Sequence, residues 1–563
     1  MIKRNGILLI VLFFARIAQA QPSYPQNYFR HPLNIRMELV ANYGEIRTNH
    51  WHMGLDIRTQ QRVNLPVYAA AEGYISRVLV EPGGFGQAIY IDHPNGFTTL
   101  YAHMNGFYPA LDQYVKKQQY EKQSWHVNLK LPAGLFPVIK GTYIGLSGST
   151  GGSQGPHVHF EIRDTKTENV LNPLLFRFPI ADAVPPTVTR LALYDRNIST
   201  YEQSPQLLTL QKSGTAITIP GGALRTGSNK ISFAIGAVDR FSGTNNPNGI
   251  YSATISLDGQ PVSGFVHDNI SYPDSRYINA QLDMPFKSKG RGDLQHISPL
   301  PGSRHIPYNV YGGDGMIHLN DTNPHDVVID VKDANNNLTR IRFKVQYDPS
   351  LSKNYPVTAS ERFIPNEVNV LERENFEMFT TEFAVYDTIT AQYKESASTT
   401  KDALSPLFQV LSPAIPAHDH LTVRIRAGES FDEQWKDRVV IKNTSGSRSY
   451  IQKAAWLNGW FSAGFRQFGT YQAFIDTLPP TVNNVPADLS KSTRIVFTPK
   501  DNFNVIKSFR AELNGQWLRF TNDKGRTWIY SFDEHFPRGN HTLKVTIEDE
   551  AGNVTEKSWN VRR

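Results

Sequence analysis

Side chains of metal-ligating type gather in one part of this 563-residue sequence. The string Asn49-His50-Trp51-His52-Met53-Gly54-Leu55-Asp56 holds two histidines and an aspartate, Tyr101-Ala102-His103 adds an imidazole, and His157-Val158-His159 supplies two more. After the last pair, Phe160-Glu161-Ile162-Arg163 alternates apolar and charged residues. That alternation predicts a strand, on which side chains change face at every step, so His157 and His159 point the same way. Catalytic zinc takes three ligands from His, Asp or Glu and leaves one position for water. The chain has no cysteine, which excludes thiolate ligands, thiolate nucleophiles and disulfides. Histidine and aspartate lack the softness that selects copper(I), and an all-oxygen calcium or magnesium site needs more carboxylates, so zinc suits this set best. Which histidines bind stays open, because His50 and His52 form a second His-x-His pair and spacing alone builds a site from either.

The elements that must position these residues read as short β-strands. Runs at Val67–Ala70, Gly73–Val80, Ala88–Ile91 and Phe97–Tyr101 are separated by glycines and by the turn signal Pro94-Asn95-Gly96. Short strands at regular spacing predict an antiparallel β domain over residues 21–181. The Gly/Ser-rich stretch Gly148–Gly155 is expected to form the lip of a groove that admits an extended peptide. Tyr114–Lys130, charged and polar, reads as a partly helical surface insertion.

Three ordered motifs, His52-x-Gly54-x-Asp56, Tyr101-x-His103 and Gly155-Pro156-His157-x-His159-Phe160, resemble those of the LytM/lysostaphin-type zinc metallopeptidases, which cut peptide cross-bridges in bacterial peptidoglycan. The resemblance runs from about Asn49 to Asn172 and takes in Gly141-x-x-Ile144-Gly145 and Gly148-Ser149-Thr150-Gly151. It implies that His52, Asp56 and His159 hold zinc, and that His103 and His157 stay off the metal, orient the water and stabilise the oxyanion. It also implies an open antiparallel sheet with a groove. The long stretch between His103 and Gly141 departs from a minimal domain of this type and bears on groove shape and substrate choice.

The rest of the chain is larger than this unit. Asp182-Ala183-Val184-Pro185-Pro186-Thr187-Val188 recurs as Asp476-Thr477-Leu478-Pro479-Pro480-Thr481-Val482. Asp239 and Asp333 likewise have counterparts in Asp501 and Asp549, and Asp258-Gly259 in Asn514-Gly515. Self-similarity of this kind means one module used twice, and Asp-Gly and Asn-Gly are hairpin turns. The fold class is therefore mainly β: the metallopeptidase-like domain, then Ig-like β-sandwiches at 182–347 (with insertions) and 476–563, with a β-rich domain at 348–475 between them. Trp456, Trp460, Trp517 and Trp528 are assigned to sandwich cores.

Residues 1–20 read as a secretory signal: Lys3 and Arg4, an apolar run from Ile7 to Ala15, then Ala18-Gln19-Ala20 as a cleavage site. The run is too short to span a bilayer, which takes roughly 20 apolar residues, and no later segment is long enough. The net charge of +7 is mild for this length and comes without a dense basic block, which argues against nucleic acid as a partner. The sequence thus predicts an exported zinc endopeptidase, periplasmic or extracellular, acting on peptidoglycan cross-links, with a β-sandwich tail that binds the wall or envelope proteins. The alternatives are a non-catalytic regulator of other wall hydrolases and a wall-binding scaffold.

Overall fold

A computed structural model describes residues 24–213, 216–355 and 361–563. The expected signal at 1–20 lies outside these residues. The chain is mainly β, and its strands group into four packed units, each with its own hydrophobic core.

The first unit is built on one twisted antiparallel sheet. Its main strands are β1 (Leu39–Ala41), β2 (Leu55–Arg58), β3 (Gly73–Val80), β4 (Gln87–Asp92), β5 (Phe97–Ala102), β6 (Val127–Lys130) and β7 (His157–Asp164). Their order across the sheet is β1-β2-β7-β5-β4-β3-β6, so the last strand in sequence lies between the second and the fifth. On β7, Val158, Phe160 and Ile162 face one way and are fully buried beside Ile57, Ile89, Ile91 and Tyr101. Burying each such side chain contributes about 1.5–3 kcal/mol, which fixes the register of β7. A one-residue slip would turn this row outward and send His157, His159, Glu161 and Arg163 into the core.

The segment between His103 and Gly141 contains helix α1 (Pro109–Glu121), followed by β6 on the sheet edge. Leu111, Val115 and Gln119, spaced four apart, are its buried stripe.

The second unit contains two sheets around Leu191, Phe233, Ile255, Phe265, Ile329 and Ile341. The strand Leu338–Tyr347 also takes two short partners, Ala216–Thr218 and Ala223–Thr226, in parallel. The third unit packs two five-stranded sheets over Phe376, Val423, Phe461 and Tyr471. The fourth packs a pair and a four-stranded sheet over Phe497, Trp528, Leu543 and Ile547. Asp258-Gly259 and Asn514-Gly515 each join two strands as two-residue turns with positive φ at both positions. Of the four tryptophans assigned to cores, Trp528 is buried. Trp456 is half-buried against its core, Trp460 carries Arg424 stacked on its ring, and Trp517 packs edge-on against Tyr120 of α1.

The units are not strung out. Tyr120 stacks on His535 at 3.7 Å, Arg510 donates to Gln123, and Asp523 and Lys524 reach the glycine loop before β7. The last unit therefore folds back onto the first.

Candidate metal centre

Strand pairing alone brings the distant motifs together. On β7, His159 stands opposite Asp56 of β2 on one side and opposite Ala102 of β5 on the other. His103 follows Ala102 directly and turns out of the strand with φ at +60°. His52 precedes β2, with Gly54 between them. A Cβ on Gly54 would lie 2.7 Å from the Phe160 carbonyl oxygen and 2.9 Å from the His159 ring, so this position requires glycine.

Three ligand atoms converge. His52 Nε2 lies 3.0 Å from Asp56 Oδ1 and 3.0 Å from His159 Nδ1, and His159 Nδ1 lies 2.9 Å from the same carboxylate oxygen. All three residues are buried. Each imidazole has its other nitrogen committed. His52 Nδ1 is 2.8 Å from the carbonyl oxygen of Asn42, which can only accept, so Nδ1 carries the hydrogen and Nε2 keeps its lone pair. His159 Nε2 is 2.9 Å from Glu161 Oε1, which leaves Nδ1 as the free donor atom. Lone pairs of two imidazoles and a carboxylate thus face one another, an arrangement that repels unless a positive charge lies among them. Two nitrogens and one oxygen at this spacing are a donor set that zinc accepts.

The electrostatics say the same. Burial opposes the charge on Asp56, but His52, His157 and His159 outweigh it and hold the carboxyl well below its usual range. Burial also opposes charge on His159, yet its hydrogen bonds to Asp56 and Glu161 raise it to about 9.

The two other motif histidines line the same spot. The His103 ring centre is 4.8 Å from that of His157 and 5.9 Å from that of His159. His103 Nδ1 donates to the Thr150 carbonyl at 2.9 Å and His157 Nδ1 to the Gly155 carbonyl at 2.8 Å. That leaves Nε2 as the second nitrogen of each ring, and His157 Nε2 lies 3.3 Å from Asp56 Oδ1. Burial first, then the charges of His159 and His157, push His103 down to about 3. His50 stays outside the converging group, with its Nδ1 turned to the Thr48 carbonyl.

Sequence reasoning missed the supports of this site. Glu161, fully buried, bonds His159 through Oε1 and Arg163 through Oε2. It also accepts a bond from the Tyr272 hydroxyl of the second unit, whose ring lies under the Arg163 guanidinium. The period-2 alternation of β7 put Glu161 on the face of His159 and was the available signal; nothing local pointed to Tyr272. A depression lined by Tyr74, Arg77, Tyr90, Asp92, Thr98 and Arg163 lies on this sheet face, but none of the five motif residues lines it.

The glycine loop is pinned rather than free. Gly151 N donates to Asp523 Oδ1 at 2.7 Å, and Lys524 Nζ donates to the Ser153 carbonyl at 2.6 Å. The carbonyls of Thr150 and Gly155 in this loop are the ones that orient His103 and His157.

Three stretches of the chain match known domain families. Residues 50–120 match Peptidase family M23, residues 360–476 a Zu5-like domain and residues 489–562 a bacterial Ig-like domain. The chain is 31% identical over 161 residues to the DD-carboxypeptidase/endopeptidase Mpg of Neisseria meningitidis, a match covering 29% of this chain and 27% of that protein. It is 25% identical over 169 residues to the peptidoglycan DD-endopeptidase ShyA of Vibrio cholerae, covering 29% of this chain and 33% of that one. It thus spans about a quarter to a third of the length of these curated relatives. The catalytic domain of lysostaphin from Staphylococcus simulans is 23% identical, with 25% of this chain and 92% of that chain covered at a TM-score of 0.18. The chain carries a LytM-type domain of peptidase family M23 and, at its carboxyl end, a bacterial Ig-like domain.

Proposed function

We propose that this protein is an exported zinc-dependent endopeptidase that hydrolyses peptide cross-links of bacterial peptidoglycan, in the periplasm or at the cell surface. The observation that carries this reading is the convergence of His52 Nε2, Asp56 Oδ1 and His159 Nδ1 within 3.0 Å of one another, with the second nitrogen of each imidazole already bonded. Zinc held there supplies a Lewis acid and lowers the pKa of the water it binds toward 7.

The chain's own residues do the rest. Glu161 keeps the hydrogen of His159 on Nε2, and Arg163 holds Glu161 ionised and in place. His103, kept neutral by its burial, offers Nε2 as a hydrogen-bond acceptor that orients the attacking water. His157, with Nδ1–H tied to Gly155, takes or gives a proton at Nε2 and stabilises the oxygen on which charge develops. The loop Gly148–Gly155 positions both rings through its carbonyls and forms the near wall for an extended peptide.

The test is digestion of isolated sacculi by the purified protein, with mass spectrometry of the fragments. Cross-linked muropeptides should fall with zinc present, persist after chelation, and persist with His159→Ala, a loss of at least about a hundredfold for an essential ligand. Full activity of His159→Ala, or failure of the protein to bind zinc, would reject the reading.

A further inference from the structure

The sheet face that carries the metal centre holds a second feature farther along its strands. His159 and Arg163 share that face of β7, four residues or about 13 Å apart. Past Arg163 opens a pocket of about 250 Å³ that none of the five motif residues lines. Tyr90 of β4 lines it, with the Arg77 guanidinium 4.7 Å and the Arg163 guanidinium 5.2 Å from its ring centre. The volume is below the roughly 300–1,000 Å³ of sites for drug-sized ligands and suits a group the size of one amino acid.

Both signs of charge line this pocket without pairing with each other. Arg77 of β3 and Lys130 of β6 stand opposite one another. Asp92 lies at the end of β4, Asp164 at the end of β7, and Glu168 in the turn that follows. Among the described residues, none of these five side chains forms an ion pair within 4.0 Å. Arg163, by contrast, is paired with Glu161.

Neutral groups hold the charges apart. Arg77 Nε donates to Asn128 Oδ1 at 2.8 Å, and its two terminal nitrogens donate to no protein group among the described residues. Asp92 Oδ1 accepts from Ser76 Oγ and Thr98 Oγ1, both at 2.7 Å. Its Oδ2 accepts only a long bond of 3.4 Å from the Tyr74 hydroxyl. Tyr90, under Arg77, and Asp92 are two residues apart on β4, so the cationic and anionic sides are separated by roughly 7 Å at the backbone. A group with ammonium and carboxylate on one carbon, bonded at about 2.8 Å on each side, fits such a span. A simple anion here would face Asp92 and a simple cation would face Arg77, whereas a zwitterion satisfies both.

We infer that this pocket is a remote substrate subsite for a zwitterionic amino-acid head, with its carboxylate on Arg77 and Lys130 and its ammonium on Asp92. Asp164 and Glu168 add negative charge at the rim on the ammonium side. At about 3.3 Å per residue, an extended peptide of about four residues bridges from the metal centre to the pocket. The role in substrate choice rests on the peptidase reading; the binding itself does not.

The experiment is saturation-transfer NMR titration of the full-length, zinc-loaded protein with three probes: alanine as both enantiomers, alaninamide, which keeps only the ammonium, and N-acetylalanine, which keeps only the carboxylate. Alanine is expected to bind with a dissociation constant of about 1–10 mM, and each single-charge probe at least about tenfold more weakly. Asp92→Asn, which still accepts from Ser76 and Thr98, and Arg77→Gln should each weaken alanine by about tenfold or more. Should either fail to fold, Lys130→Gln, at an exposed position, carries the same test. On soluble cross-linked muropeptides that bear a free amino-acid head, Asp92→Asn should raise KM by about tenfold at unchanged zinc content. No binding of alanine up to about 50 mM, equal binding of the three probes, or undiminished binding in the folded variants would overturn the assignment. Because binding needs no turnover, cleavage of cross-links without discrimination among the probes would reject the pocket alone. Selective binding of alanine by a protein that cuts no cross-link would reject the peptidase reading, and with it the pocket's part in substrate choice.

Discussion

At the scale of single residues, Glu161 matters most among the groups that no motif announced. Its Oε1 fixes the tautomer of His159 at 2.9 Å, while Arg163 occupies Oε2. Replacing it by glutamine keeps the shape but lets the side chain present an N–H to His159 Nε2, which favours the tautomer with hydrogen on Nδ1 and removes the donor atom. Glu161→Gln should therefore weaken zinc binding by about tenfold to a hundredfold, the usual cost of losing such a support. Competition with a chromogenic chelator measures this directly, and unchanged affinity would show that Glu161 only fills space. The five motif residues were legible because His-x-His, His-x-Gly-x-Asp and Tyr-x-His each occupy a few consecutive positions. Tyr272 was not legible. It bonds to Glu161 across 111 positions of sequence, and only the packing of the second unit on the polar face of β7 brings them together.

At the scale of elements, the site depends on how closely β2 and β7 approach. Gly54 is where the chain enters β2, and the Phe160 carbonyl that its Cβ would strike is backbone, which cannot swing aside. Gly54→Ala should push β2 from β7, separate Asp56 from His159, and destabilise the first unit by about 1–3 kcal/mol. Zinc content after purification and the first thermal transition report the two effects, and a variant that keeps both would mean the strands have slack. Strands were readable wherever one face is apolar, as in β7, and hairpins wherever Asp-Gly or Asn-Gly demands positive φ. Helix α1 was read only as a partly helical insertion because its buried stripe is three residues long and includes Gln119. The parallel partners of Leu338–Tyr347 carry no sequence mark at all, since pairing direction is decided by where the chain returns.

At the scale of the whole molecule, the repeated Asp-x-x-Pro-Pro junctions divide the chain, but the return of the last unit to the first could not be read from them. That return rests on surface residues with no local signature: His535 stacked on Tyr120, Arg510 on Gln123, and the turn Asp523-Lys524 on the glycine loop. Its consequence is mechanistic. Asp523 and Lys524 bond to Gly151 and Ser153, while the neighbouring carbonyls of Thr150 and Gly155 hold the Nδ1–H groups of His103 and His157. The last unit thus steadies His103 and His157 without touching His52, Asp56 or His159. Asp523→Ala removes one bond of roughly 1 kcal/mol, which would lower turnover on sacculi by about fivefold if the loop's order is fully used. Zinc affinity should stay at the parent value, because Asn42 and Glu161, which orient His52 and His159, lie outside the loop. Asp523→Asn, which can still accept from Gly151 N, should recover most of the activity. Parallel loss of zinc in Asp523→Ala, or no change in turnover, would show that the last unit merely rests against the loop.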